Sequence, residues 1–162
     1  MQWLKYVDTQ VTFAEIPNEI TLCINISNCP CHCKGCHSEY LSEDIGNSLN
    51  TAVLKELLLR NKGVTCVAFM GGDADPRMIN DLAKWVRREY SSIKVAWYSG
   101  RQELSKDIDL WNFDYIKLGP YIEEFGPLNR RTTNQRLYHV VHTSMGVSRL
   151  YDITSKFWKE DD

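Results

Sequence analysis

Four of the six cysteines fall within eight positions, in the stretch Cys29-Pro30-Cys31-His32-Cys33-Lys34-Gly35-Cys36-His37. Within it, Cys29, Cys33 and Cys36 are separated by three and then two residues. Three thiolates at that spacing can take three corners of a cubic four-iron four-sulfur cluster. Such clusters usually take four thiolates, so a three-cysteine set leaves one iron open to a small molecule. The competing chemistry is a structural zinc held by Cys29, Cys31, Cys33 and Cys36. The crowding fits zinc poorly, because zinc sites usually pair two well-separated Cys-x-x-Cys knuckles. On the cluster assignment Cys31 is a bystander.

Other residues have a functional and an ordinary reading. Gly71-Gly72-Asp73 follows an apolar run, where glycine lets the backbone approach a ligand closely; alone it is a turn. Asp75 reads as a helix cap. Ser99 either caps a following helix or contacts a ligand. Lys117 lies in a strand expected to be buried, and a buried ammonium needs a partner unless its side chain reaches solvent. Cys23 and Cys66 sit inside expected strands, where free cysteine is commonly structural. His32, His139 and His142 have no evident set of partner ligands. Arg130, Arg131 and Arg136 flank Thr132–Gln135 in what is otherwise a solvated loop.

The elements that must position these residues alternate. Residues 20–27 place Ile20, Leu22, Ile24 and Ile26 on one face and Thr21, Cys23, Asn25 and Ser27 on the other, the period of a strand that runs directly into the cysteine loop. Pro30 and Gly35 prevent that loop from being helical throughout. A helix is expected at about 51–61, capped by Asn50 or Thr51, with Gly63 beyond its end. Residues 64–70 form a nearly unbroken apolar run, as in a buried parallel strand. Asp75-Pro76 starts a second helix, running to about Tyr90 on a stripe of Ile79, Leu82 and Val86. Strands at 93–98 and 113–118 enclose a weaker helix at about 101–110. Short strands are expected at 137–141 and 147–153, a strand or arm within 1–18, and a turn or two of helix in the tail.

This alternation implies an α/β fold with right-handed crossovers. A complete eight-unit barrel needs roughly 250 residues, so the expectation is a partial (βα) barrel or an open, mostly parallel sheet with flanking helices. The cysteine loop, Gly71-Gly72-Asp73, Ser99-Gly100 and Gly119-Pro120 each follow a strand, and in such folds the site forms at those carboxyl ends.

The 162 residues fit a single domain spanning 1–162. At this length about 70% of the extended chain's surface is buried, enough for stability without disulfides. Nineteen basic and twenty-one acidic residues give a net charge of −2, so no broad basic face for nucleic acid is expected. The first residues lack the apolar run of a signal peptide, and no stretch approaches a membrane span. A cytoplasmic location is therefore expected, where clustered cysteines more often bind metal than pair.

The cysteine spacing, with Pro30 after the first ligand and Gly35-Cys36-His37 closing the loop, resembles the signature of radical S-adenosylmethionine enzymes. Together with Gly71-Gly72-Asp73, Gly119-Pro120-Tyr121 and Asn134-Gln135-Arg136, it is similar more narrowly to the activating proteins of anaerobic ribonucleoside-triphosphate reductase. The similarity covers roughly Thr21 to Val141. Departures are Asp73 where the superfamily commonly has Glu, Thr132-Thr133 in place of a Gly-Ser pair, Leu118 where many members have Asp, and an unusual Phe13–Pro17 segment.

The resemblance implies one four-iron four-sulfur cluster on Cys29, Cys33 and Cys36, with S-adenosylmethionine on the open iron. It places Gly71, Gly72 and Asp73 near the methionine amino group. The Gly35–Cys36–His37 backbone would lie near the adenine; a ligand contact by Ser99 would then be to the ribose, and the partner of Lys117 a bound carboxylate or an acidic side chain. It implies reductive cleavage to a 5′-deoxyadenosyl radical that removes hydrogen from a glycine. The partners would be the large subunit of anaerobic ribonucleotide reductase and a one-electron donor such as flavodoxin. Alternatives are activation of another glycyl-radical enzyme, such as pyruvate formate-lyase, or a non-catalytic zinc or iron–sulfur module.

Overall fold

The computed structural model describes residues 4–31, 33 and 39–158. Eight strands and two α-helices follow in the order β1 (Lys5–Thr12), β2 (Thr21–Ile26), β3 (Asn47–Ser48), α1 (Thr51–Arg60), β4 (Cys66–Met70), α2 (Pro76–Glu89), β5 (Lys94–Tyr98), β6 (Tyr115–Leu118), β7 (Arg136–His142) and β8 (Ser148–Asp152). They form one sheet in the order β3-β1-β2-β4-β5-β6-β7-β8. Only the middle four, β2, β4, β5 and β6, run parallel. The β1 and β3 strands add to one side and β7 and β8 to the other, all antiparallel to their neighbours.

The sheet is therefore open, as one of the two expected forms has it, but mixed rather than mostly parallel, and it is not the partial barrel also expected. Both helices pack on one face. The stripe Leu54, Leu57 and Leu58 of α1 and the stripe Ile79, Leu82, Ala83 and Val86 of α2 meet Leu22, Ile24, Ile26, Val67, Phe69, Val95 and Trp97. Successive right-handed crossovers that step through the sheet in one direction always leave their helices on the same side.

Both helix starts follow from local chemistry. The Asn50 side chain accepts from Val53 N at 2.9 Å, and Asp75 Oδ1 accepts from Met78 N at 3.2 Å ahead of Pro76. The expected helix at 101–110 does not form; turns lead instead into a short 3-10 turn, Leu110–Asn112. Ser99 Oγ accepts from Arg101 N, Ser105 Oγ from Asp107 N and Asp109 Oδ1 from Trp111 N. Such local side-chain bonds compete with the helical ladder, and Leu104 and Ile108 alone make too narrow a stripe to outweigh them. The N-terminal arm is a complete strand, and the short β3 had no clear pattern in the sequence.

The face away from the helices mixes small and long side chains. Cys23, Ala68, Ala96, Tyr115 and His139 lie in one cross-strand row, followed by Asn25, Met70, Tyr98, Lys117 and Leu137 in the row nearer the carboxyl ends of the parallel strands. Ile16, Leu128, Ile153 and Phe157 cover this face, and the Tyr98 hydroxyl donates to the Glu15 carbonyl. Cys23 and Cys66 are buried within strands, as their positions in the sequence suggested.

Burial, aided by Glu15, pushes the Cys23 thiol up to about 12 from an ordinary 9.0, and burial pushes Tyr115 up to about 12 as well. The Cys66 thiol and Tyr98 phenol shift the same way. All four groups are neutral when protonated, and the folded state holds their protons more tightly than the unfolded chain does. Their contribution to stability is thus complete below the ordinary thiol value and is lost as pH rises towards about 12. Melting temperatures measured anaerobically with reductant should be flat up to about pH 9 and then fall. Cys23→Ala should fall less steeply, and an equal slope would contradict the assignment.

Candidate functional site

The carboxyl ends of β2, β4, β5 and β6 lie side by side, and the segments beyond them hold most of the candidate residues. The chain leaves β2 under tight control. Ser27 N donates to Lys5 O, Asn28 N to Glu43 O at 3.1 Å and Cys29 N to Leu41 O at 2.8 Å. Asn28 has φ +60°, a left-handed conformation that asparagine tolerates better than most side chains. Its side chain donates to Asp44, which also pairs with Lys5 at 2.8 Å. Cys29, Cys31 and Cys33 are half-buried and free. Gly35, Cys36 and His37 lie outside the described residues, as does His32. Among the described residues no cluster of three His, Cys, Asp or Glu is close enough to hold a metal ion.

At the end of β4, Gly71 and Gly72 have φ of +109° and +93°. The Gly71 carbonyl accepts from Trp97 Nε1 at 2.7 Å, and the Gly72 carbonyl accepts from Asp75 N at 3.0 Å. A Cβ on Gly72 would stand 2.5 Å from Ile79 Cδ1, so the first turn of α2 packs directly on this backbone. Asp73 is 7% exposed and turns inward. Its Oδ1 accepts from Ser99 Oγ at 2.5 Å and its Oδ2 from Gly100 N at 2.8 Å. Cys31 Sγ lies 3.7 Å from the same Oδ2. Burial first, and then the Asp73 carboxylate, push the Cys31 thiol up to about 12.

Ser99 is buried, and its hydroxyl bridges Asp73 and Arg101 N, capping a turn rather than a helix. Lys117 does not reach solvent. Its ammonium donates to the carbonyls of Ser99 at 3.0 Å and Gly119 at 2.8 Å, 6.0 Å from the centre of the Tyr98 ring. Gln135 Nε2 reaches the Gly119 carbonyl and Asn134 Nδ2 the Pro120 carbonyl. The Asn134–Arg136 segment therefore braces the end of β6, while the buried Asn134 Oδ1 finds no hydrogen-bond partner among the described residues. Arg131 stacks on Trp158, and Arg136 pairs with Asp152 at 3.6 Å. His139 stacks on Tyr115, and burial pushes its imidazole down. His142 bonds the Phe113 carbonyl and Ser148.

The structure thus gathers Cys31, Asp73, Ser99, Gly100 and Lys117 into one polar assembly at the sheet edge. The sequence pointed to Asp73, Ser99 and Lys117 separately. It left Cys31 as a bystander, and the signal that would have connected it is the glycine at position 100.

The donor chemistry suits an iron–sulfur cluster: two free thiols, Cys29 and Cys33, stand on one loop, with the third cysteine of the spacing three residues further on. A model of the 4Fe-4S single cluster domain matches residues 20–120. That span begins just before β2 and ends just after β6, so it takes in the cysteine loop, both helices and all four parallel strands. No curated protein and no solved structure matches the chain. None of the described helices is long and apolar enough to cross a membrane.

Two substitutions test the packing of this edge, Gly72→Ala and Lys117→Met, with Gly63→Ala beyond the end of α1 as a control. Gly72→Ala combines a left-handed φ with a clash, whereas Gly63→Ala has φ +97° and nothing within 4 Å of the new Cβ. Strained backbone costs on the order of 1–3 kcal/mol, so both should lower stability in denaturant titrations, Gly72→Ala by clearly more. Lys117→Met removes the donor from two inward carbonyls and should destabilise by about 2 kcal/mol. A melting temperature equal to wild type would show that those bonds carry little.

Proposed function

The chain belongs to the 4Fe-4S single cluster domain family, and from that premise we propose that it is a glycyl-radical activase using S-adenosylmethionine, with anaerobic ribonucleotide reductase as its partner. The observation that carries the proposal is that the strand leading into Cys29 pairs in parallel with the strand leading into Gly71-Gly72, so that both segments begin at one edge of the sheet. Both glycines take a left-handed φ there, and each of their carbonyls keeps a second lone pair beyond its bond within the chain.

Cys29, Cys33 and Cys36 would hold the cluster, three thiolates for four irons. When bound and reduced, the cluster would supply the one electron for cleaving S-adenosylmethionine to methionine and a 5′-deoxyadenosyl radical able to take hydrogen from a glycine. The chain's own part is binding and orientation. The carbonyls of Gly71 and Gly72 would accept from the methionine amino group. By the family resemblance the Gly35–His37 backbone would lie near the adenine, and Ser99 and Lys117 would stand on the ribose and carboxylate side. No side-chain acid or base is needed for this chemistry. A one-electron donor such as flavodoxin would reduce the cluster.

One observation favours a second reading. The carboxylate of Asp73 and the hydroxyl of Ser99 are both engaged within the chain, and Lys117 donates to main-chain carbonyls. A non-catalytic iron–sulfur carrier would need none of them for a ligand.

Anaerobic reconstitution separates the two. Both readings predict about four irons per chain. The activase also predicts 5′-deoxyadenosine when dithionite and S-adenosylmethionine are added, and none from Cys33→Ala. A fully loaded cluster that releases no 5′-deoxyadenosine would sink the activase. The reductase large subunit and pyruvate formate-lyase can then be compared as acceptors by the glycyl-radical signal.

A further inference from the structure

We propose that Cys31 is a positioning residue: its thiol moors the cysteine loop to Asp73, and this contact keeps the fourth cysteine of the loop out of the cluster's ligand set. The inference rests on the family's cluster and not on the radical chemistry.

Asp73 is a fixed post. Its carboxylate is 7% exposed and is held by Ser99 Oγ at 2.5 Å and Gly100 N at 2.8 Å, both beyond the end of β5. Cys31 Sγ approaches the same Oδ2 at 3.7 Å, within the reach of a sulfur hydrogen bond. The slot that admits it depends on a missing side chain. A Cβ on Gly100 would stand 2.8 Å from Cys31 Sγ and 3.3 Å from its Cβ. Any other residue at position 100 would have to evict the sulfur.

The start of the loop is tied to residues 41–43 through Asn28 N and Cys29 N. Among the described residues, the Cys31 thiol makes the one hydrogen bond from Pro30–Cys33 to the ends of β4 and β5. It does so from the midpoint between Cys29 and Cys33, so it sets where both ligands stand relative to Gly71-Gly72. A sulfur seated on Asp73 above Gly100 is not available as a fourth corner. This is how a loop with four cysteines in eight positions can present three.

The test uses the anaerobically reconstituted full chain without S-adenosylmethionine, so a failure of the activase reading leaves it untouched. Iron content and the electron paramagnetic resonance signal of the dithionite-reduced cluster are the readouts. Cys31→Ala should keep wild-type iron content and shift the signal. Asp73→Asn should give a shift of the same kind, and the double variant should shift no further than the larger single one. Cys31→Ser should move back towards wild type. Gly100→Ala keeps both polar groups and only evicts the sulfur, and it should reproduce the Cys31→Ala signal if an Asp73 variant folds poorly. Loss of iron in Cys31→Ala would make Cys31 a ligand and overturn the proposal. An unshifted Cys31→Ala signal, additive shifts in the double variant, or a wild type without a cluster would overturn it too.

Discussion

The central constraint on this molecule is the order of its parallel strands. Because β2, β4, β5 and β6 are consecutive in the sheet and run one way, every crossover turns in the same sense. Both helices are thereby confined to one face, and the carboxyl end of every parallel strand opens on one edge. The cysteine loop, the paired glycines, Ser99-Gly100 and Gly119 become neighbours through that geometry, although the chain separates them by tens of residues.

The two faces of the sheet are built differently. Bulky residues such as Phe69 and Trp97 fill the helical side. The other side carries Cys23, Cys66, Ala68 and Ala96 beneath loop segments around Ile16 and Leu128. These small side chains let the covering loops approach, and the long polar side chains between them find partners. Tyr98 reaches a carbonyl of the covering loop, and Lys117 gathers two carbonyls of the strand ends. A buried ammonium is tolerable on those terms because its hydrogen bonds replace those lost from water.

At the edge itself, rigidity comes from polar groups turned inward. Asp73 joins β4 to β5, Lys117 joins β5 to β6, and Asn134 and Gln135 join β6 to the approach to β7. The result is a row of strand ends locked to one another, against which a cysteine loop can be held. The family match covers this region, from residue 20 to 120. The antiparallel strands β1, β7 and β8 lie outside it.

What the sequence determined by itself was local. The spacing of Cys29, Cys33 and Cys36 specifies a ligand set without any knowledge of the fold. Asn50 and Asp75-Pro76 mark helix starts because a cap bonds to a backbone amide three residues on. The apolar run before Gly71 reads as a buried strand because both its faces must be covered. The same reasoning failed at 101–110, where Ser99, Ser105 and Asp109 spend their side chains on nearby amides and too little apolar surface remains to recruit a helix. Tertiary structure alone decided the antiparallel pairing of β1, β7 and β8, since strand direction depends on which distant edge is free. It alone placed Cys31 against Asp73, a contact 42 residues apart in the chain. Such a contact has no local signature: its cause is the proximity of strand ends that the folded sheet creates.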